Sequence, residues 1–494
     1  MTPVGLTPVR AVLDNGATLV AMHTRKTPAV TISLAMRAGS MCDPVRSPGA
    51  VYLLSRVIDR GTTSRTASEI ADAIESRGST LSVTVNRHVC CLTCTCLAED
   101  FESLLPILGD MLISPSVPDA ELHLRKREVI TSLHQDEDNP FVRAFEALLR
   151  LLYGADHPYG RPLKGTVESV DGLARDALLG LHADWFGPGA LTGVFVGDVE
   201  PARALAVATD VFGVWGRTPS PAPAPAFGPA TTAPSRQQVV IPMPSKAQAD
   251  VAYGFVTIPR SDRSYYAASL MNNILGQYAM GGRLGDSIRE KQGLAYYCSS
   301  AFDAGLIAGP LVVRAGVAAE HVDAVIGSID DELRKLREHG VTAAELDDAR
   351  QYLIGSMPRA LEANAGIANF LQLSELFGLG LDHDRRLPEL LRRVTRADVH
   401  EAAGRLLDPA RATIVVAGPV GHPRSRPPSR CRCMWKTVWP AARLVLKTVL
   451  KPSPAVPLLA AIAAARRTTS PTMSSSSGPR SLSVAIWRFG TTRM

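Results

Sequence analysis

Several sequence features are missing from this chain, and each absence excludes a class of protein. No run of about 20 apolar residues occurs, so no transmembrane helix is expected. The opening residues, MTPVGLTPVRAVLDNG, contain no apolar stretch of signal-peptide length. The eight cysteines form no spaced disulfide framework, and four of them fall within residues 90–96, which is more typical of a reducing compartment. We therefore expect a cytoplasmic protein, with the periplasm as the alternative location.

Acidic residues are also absent from the last part of the chain. Residues 419–494 contain 13 Lys and Arg but no Asp or Glu, and the last acid is Asp408. Residues 1–418 contain 40 basic and 47 acidic side chains, so their net charge is −7 although the whole chain carries +6. The positive charge belongs to the tail, and we expect no nucleic-acid partner for the body.

The tail at residues 419–494 shows no helical or strand periodicity and includes the low-complexity stretch SPTMSSSSGPRSLS. We interpret it as a disordered basic extension. Two alternatives are a misread frame, indicated by the abrupt loss of every acid, and an arm that binds a membrane or a nucleic acid.

A Pro/Ala-rich stretch divides the rest of the chain into two halves. Residues 218–234 read TPSPAPAPAFGPATTAP, which predicts a stiff linker over 218–236 between domains at 1–217 and 237–418. The halves look like copies, since VPDAEL at 117–122 recurs as VTAAEL 224 residues later. In each half, strands precede runs of amphipathic helices. The pattern predicts an α+β fold of two duplicated domains, each an antiparallel sheet with helices on one face.

Residues 49–62 read GAVYLLSRVIDRGT, with apolar residues at helical spacing. This segment resembles the signature helix of the M16 zinc peptidases (the insulinase, pitrilysin and mitochondrial-processing-peptidase types). Active members read roughly G-x-x-H-x-x-E-H-x-x-x-x-G-T. The resemblance implies that Tyr52, Ser55 and Arg56 replace the first zinc histidine, the general-base glutamate and the second zinc histidine. It also implies that Leu133 replaces the third zinc ligand, a glutamate.

None of these four residues suits zinc hydrolysis. Two histidines at i and i+4 can clamp Zn²⁺ from one helix face. Tyr52 is a poor ligand because the pKa of tyrosine is about 10, and the permanently charged Arg56 has no lone pair to donate. Ser55 cannot serve as a general base, and Leu133 is apolar. We predict a degenerate zinc site and no metal in this chain.

The second half carries a different motif, and here the residues are kept. Residues 276–297 read GQYAMGGRLGDSIREKQGLAYY and resemble the glycine-rich segment and R-E-K-x-G-L-A-Y motif of the same family. The spacing predicts a helix over 283–292 that stops at Gly293 and leads into a strand, so that Arg289 and Tyr296 share one corner. In the family this pair contacts the substrate carbonyl and helps to stabilise the tetrahedral intermediate. The alternative is an ordinary ion pair for Arg289 and simple packing for Tyr296.

Residues 79–96 predict a pair of strands. The resemblance implies that Ser82, Val83 and Thr84 lie on an edge strand that pairs with extended substrate. The neighbouring HVCCLTCTC at residues 88–96 contains a CxxC beside a histidine, which raises the possibility of a metal site. Three of its cysteines alternate onto one face of the predicted strand, however, so we predict that they are buried as small apolar residues.

Taken together, the motifs favour a zinc-less M16 subunit that is inactive alone. It would pair with a homologue that carries the HxxEH helix and the Zn²⁺, and the complex would hydrolyse peptides. Arg289 and Tyr296 would then act in trans. Two alternatives remain: a non-enzymatic scaffold, like the core proteins of respiratory complexes, and a peptide-binding homodimer.

Overall fold

The protein is described by a computed structural model over residues 5–216, 235–277 and 282–421. Two β-sheets with their helices form one compact unit. The predicted linker at 218–236 lies almost entirely outside the described residues, and the predicted tail at 419–494 lies outside them after residue 421. No helix in the described part of the chain is both long and apolar enough to cross a bilayer.

The first half contains a six-stranded sheet with the order β1-β2-β6-β3-β5-β4. Neighbouring strands are antiparallel except β2 and β6, which run parallel. The strands are β1 (Val9–Val12), β2 (Thr18–His23), β3 (Ala29–Met36), β4 (Thr80–Val85), β5 (Cys90–Leu97) and β6 (Leu191–Gly197). The helices are α1 (Ala50–Val57), α2 (Ala67–Glu75), α3 (Phe101–Ile113), α4 (Asp119–Glu137), α5 (Pro140–Tyr153), α6 (Val167–Gly172), α7 (Arg175–Trp185) and α8 (Pro201–Phe212).

The second half contains a five-stranded sheet with the order β7-β11-β8-β10-β9. Its strands are β7 (Gln237–Pro242), β8 (Ala249–Val256), β9 (Ala295–Phe302), β10 (Pro310–Val317) and β11 (Thr413–Gly418). Its helices are α9 (Tyr265–Asn272), α10 (Val322–His339), α11 (Ala343–Ala360), α12 (Asn364–Leu376), α13 (His383–Arg393) and α14 (Arg396–Leu406). Two π-helical segments, Asn273–Gln277 and Gly285–Lys291, flank the stretch that leads to β9.

The two sheets have the same topology, which confirms the predicted duplication. Strands β2, β6, β3, β5 and β4 of the first sheet correspond in order to β7, β11, β8, β10 and β9 of the second. In both sheets the first of these pairs is parallel and the others are antiparallel. Helices α4 and α11 begin at residues 119 and 343, so the offset of 224 found in the sequence is kept. Only β1 has no counterpart among the described strands.

Each half contributes one helix that packs on the sheet of the other half, a detail that the sequence pattern did not predict. Helix α5 of the first half packs on β8 and β11, and α12 of the second half packs on β3 and β6. The receiving faces are apolar, with Ala252, Val312 and Val415 under α5 and Val20 and Val194 under α12. Each sheet is therefore covered on both faces, on one by its own helices and on the other by its neighbour's helix.

Candidate functional site

Helix α1 carries three of the four positions matched to the zinc motif. It begins after Gly49, whose φ of 87° is a conformation that favours glycine. The buried Asp43 carboxylate caps this end, since it accepts the backbone N–H groups of Gly49 and Val51 at 2.8 Å each. Burial raises the pKa of Asp43 to about 6. Helix α1 also packs against α4, which carries the fourth position.

The side chains at the four positions do not form a metal site. Ser55 is buried, and its hydroxyl donates to the Tyr52 carbonyl at 2.7 Å, so its polar atom is used within the helix. Tyr52 is partly buried against the core, and Arg56 is exposed. Leu133 on α4 is only 7% exposed and belongs to the hydrophobic core of the first half. These side chains therefore do not fit the Zn²⁺ ion that the motif implies.

The cysteine-rich strand is part of the core. Cys90, Cys94 and Cys96 on β5 are each at most 4% exposed and line the apolar face of the first sheet, as the alternation predicted. His88 lies in the turn before β5, and its Nε2 lies 2.8 Å from the Tyr159 hydroxyl. Within residues 5–216, 235–277 and 282–421, no group of three or more His, Cys, Asp or Glu is arranged to hold a metal ion.

Strand β4 carries the residues predicted to bind extended substrate. It is the last strand of its sheet and pairs only with β5 among the described strands, so its other edge has no strand neighbour. Ser82 and Thr84 are exposed, whereas Val83 packs against the core. The edge is thus anchored on its apolar side and has free backbone groups on its outer side.

Arg289 and Tyr296 lie where the second half turns from a helix into its own edge strand. Arg289 belongs to the π-helical segment Gly285–Lys291, and the chain reverses at Gly293, whose φ is 64°. Tyr296 follows on β9, which occupies the same place in its sheet as β4 does in the first sheet. The Arg289 side chain is 39% exposed, with its Nε 3.5 Å from the Glu290 carboxylate, and Tyr296 is 78% exposed.

A β-bulge at Tyr296 was not predicted from the sequence. Tyr297 pairs with Gly316 on β10, and Ala295 pairs with the next residue, Val317, so the register passes over Tyr296. Ala295 and Cys298 both face the core, three positions apart instead of two. Bulges redirect side chains and are frequent next to active sites. Here the bulge leaves Tyr296 pointing away from the sheet's core.

Two concave clefts of the second half lie away from these residues. One, of about 510 Å³, is lined by α9, α13 and α14 and includes Arg263 and Arg405. The other, of about 470 Å³, lies beside the π-helical segment and includes Arg283 and Lys291. Neither is lined by Arg289, Tyr296 or the four positions on α1 and α4. These two clefts are therefore separate from the residues of both motifs.

This fold and these motifs define a class of peptidase-like proteins, and comparison with known families agrees. Residues 18–167 match the family model described as Insulinase (Peptidase family M16), and residues 172–353 match the one described as Peptidase M16 inactive domain. Together the two matches span more than half of the chain. The chain belongs to peptidase family M16.

Similar proteins and structures extend over most of the chain. A protein named as an uncharacterized zinc protease from Streptomyces coelicolor is 27% identical over 419 residues, which is 83% of this chain and 89% of that protein. One of the same description from Mycobacterium leprae is 27% identical over 424 residues, or 85% and 93% of the two chains. The crystal structure of a peptidase M16 inactive domain from Pseudomonas fluorescens is 25% identical with a TM-score of 0.78, covering 84% of this chain and 98% of that one. A Helicobacter pylori protease structure shares the fold at 16% identity, with a TM-score of 0.76 over 83% of this chain and 99% of that one.

Proposed function

We propose that this chain is the zinc-less subunit of a two-chain M16 peptidase and that Arg289 and Tyr296 act on a peptide bound at the partner's zinc site. The observation that carries the proposal is the contrast between the halves. The four positions of the first half that match the zinc motif carry no histidine, glutamate or other typical zinc ligand. In the second half, Arg289 on the π-helical segment and Tyr296 on the edge strand β9 are both accessible to solvent. The complex would hydrolyse peptides with the Zn²⁺ of an HxxEH-bearing homologue.

The first half supports the zinc-less part of the proposal. A zinc site needs nitrogen, sulfur or carboxylate ligands at about 2.0 to 2.3 Å. Of the four positions, Leu133 offers no donor atom, and the buried Ser55 hydroxyl is already bonded to the Tyr52 carbonyl. The Arg56 guanidinium would repel a divalent cation.

The second half supports the role in trans. A guanidinium and a phenol are both hydrogen-bond donors, as an oxyanion requires. Their exposure on one chain is what a group that acts on a partner's substrate needs. Loss of one oxyanion donor typically reduces kcat by about 10² to 10³.

A second candidate function is peptide binding without cleavage, and the free edge of β4 favours it. An extended peptide can add to such an edge through main-chain hydrogen bonds. The exposed Ser82 and Thr84 would flank that peptide. This function would need no zinc-bearing partner and could be performed by a homodimer.

The test is reconstitution with an HxxEH-bearing M16 homologue from the same cells. Co-purification with mass spectrometry identifies that partner, and cleavage of a panel of unstructured peptides measures activity. We expect Arg289→Ala or Tyr296→Phe to lower kcat by about 10² to 10³. Two controls, Arg334→Ala and Tyr352→Phe, change exposed residues on α10 and α11 and should have no effect.

Three outcomes would contradict the proposal. Full activity of both site variants would show that Arg289 and Tyr296 do not act on the substrate. If the chain co-purified only with itself and bound peptides without cleaving them, the homodimer function would replace the peptidase subunit. If it co-purified only with membrane respiratory subunits, a scaffold would replace it.

A further inference from the structure

A row of three residues crosses the second sheet beside the bulge at Tyr296. Gly316 on β10 pairs with Tyr297 on one side and with Asp250 on the other, so the three lie on neighbouring strands at one level. The Tyr297 hydroxyl donates a hydrogen bond to the Asp250 carboxylate and thus spans the middle strand. This bond ties the edge strand to the interior of the sheet at the residue next to the bulge.

The glycine in the middle of this row makes the crossing possible. A Cβ atom at Gly316 would lie 2.5 Å from Cε1 and 2.9 Å from Cδ1 of the Tyr297 ring. These distances are well inside van der Waals contact, so any side chain there would lift the ring off the sheet. The phenol reaches Asp250 because nothing stands on the strand between them.

The row is also in contact with helix α5, which belongs to the first half. The ring centroid of Phe141, in the first turn of α5, lies 6.4 Å from that of Tyr297. The Arg314 guanidinium stacks 3.0 Å from the Phe141 centroid and donates to the Phe141 carbonyl. The other half of the molecule therefore supports the strand that carries Tyr296.

We propose that Tyr297, held by Asp250 across Gly316, is a positioning residue that keeps the bulge in place and Tyr296 projecting from the sheet edge. This inference rests on the proposed function of Tyr296. Bulged residues lack ladder hydrogen bonds of their own, so their direction depends on the neighbouring paired residue. Tyr297 is that neighbour, and its hydroxyl is anchored two strands away.

The experiment compares Tyr297→Phe with Tyr253→Phe. Tyr253 on β8 donates its hydroxyl to Asp330 at 2.8 Å on the opposite face of the same sheet, so the control removes a bond of the same type away from the bulge. The first readout is amide hydrogen exchange of residues 295–299 in the chain alone. Loss of one hydrogen bond should speed this exchange about five- to tenfold in Tyr297→Phe and leave it unchanged in Tyr253→Phe.

The second readout is peptide cleavage by the reconstituted complex. Tyr297→Phe should lower kcat with little change in KM, because Tyr296 remains present but is no longer held in place. Gly316→Ala should also speed the amide exchange and lower kcat, although it keeps the Tyr297 hydroxyl. Two results would overturn the proposal. The first is an equal rate of amide exchange at residues 295–299 in Tyr297→Phe and Tyr253→Phe. The second is a normal kcat in Tyr297→Phe when Tyr296→Phe is impaired. If Tyr296→Phe itself keeps full kcat, the proposed function fails, and a role in positioning a reacting group fails with it. The exchange data then show separately whether the row holds the bulge.

Discussion

A double-mutant cycle between Leu148 and Gly254 tests how the two halves share helix α5. Leu148 lies on α5 of the first half and is fully buried, and Gly254 lies beneath it on β8 of the second half. A Cβ atom at Gly254 would lie 2.8 Å from Cδ2 of Leu148 and 3.3 Å from Cδ1 of Leu152. The helix can approach the sheet this closely only because the strand has a glycine there.

This contact predicts that the effect of Gly254→Ala on the free energy of unfolding changes sign when Leu148 is replaced by Ala. Leu148→Ala should cost about 3 to 4 kcal/mol, within the usual range for a buried leucine. Gly254→Ala alone should destabilise by about 1 kcal/mol, because two effects oppose each other. Overpacking costs about 1 to 3 kcal/mol, whereas the lower conformational entropy of the unfolded chain stabilises the folded state by about 0.4 to 1 kcal/mol. With Ala at position 148 the 2.8 Å contact is gone, and the 3.3 Å contact needs only a small shift of the flexible end of Leu152. Gly254→Ala should then stabilise by about 0.5 to 1 kcal/mol. The coupling free energy is then about 1.5 to 2 kcal/mol.

Equilibrium unfolding in urea, followed by circular dichroism, measures these free energies. Leu371→Ala is the matched control, since Leu371 is equally buried but lies on α12, in the cluster on the other sheet. Its effect should add to that of Gly254→Ala within about 0.5 kcal/mol. If Gly254→Ala were equally destabilising with Leu or Ala at position 148, α5 would not lie on the second sheet as described.

Two further predictions concern pH. Glu345 accepts hydrogen bonds from Arg283 at 2.7 and 2.9 Å and caps α11 through the Thr342 N–H, and these contacts lower its pKa to about 2. Glu345→Gln should therefore destabilise by about 1 to 2 kcal/mol at pH 7, and urea titrations should show the difference fading as pH falls from 4.5 towards 2, whereas a constant difference would contradict the ion pair. Burial lowers the pKa of His88, which contacts the Tyr159 hydroxyl, from 6.5 to about 4. The stability that neutral His88 contributes is therefore fully present above pH 6.5 and is lost as pH falls from 6.5 to 4. The wild type should lose about 2 kcal/mol more than His88→Gln between pH 6.5 and 4.5, and equal losses would contradict this assignment.

The sequence predicted the local parts of the fold well because they depend on short-range spacing. Apolar periodicity marked α1, α4 and α11, and the repeated VPDAEL-like segment predicted the duplication that the two sheets confirm. The same periodicity did not predict where α5 and α12 would pack. An apolar face shows that a helix is buried, but it does not identify the sheet that buries it.

For the candidate site, as for the fold, the sequence predicted the local features but not those that depend on distant residues. Gly293 predicted the corner between Arg289 and Tyr296, since a helix stop followed by a strand is a local feature. The bulge at Tyr296 and the bond from Tyr297 to Asp250 were not predicted. They depend on the register of β9 against β10 and on a glycine at residue 316, twenty positions further along the chain.

The sequence by itself determined the family resemblance, the two-domain α+β organisation and the identity of the side chains at the zinc and Arg/Tyr positions, because those follow from residue type and local spacing. Only the tertiary structure decided that each half covers the other's sheet, that β9 is left as an edge, and that Tyr296 projects from a bulge. These properties arise from strand order and register, which are set by contacts between residues far apart in the chain.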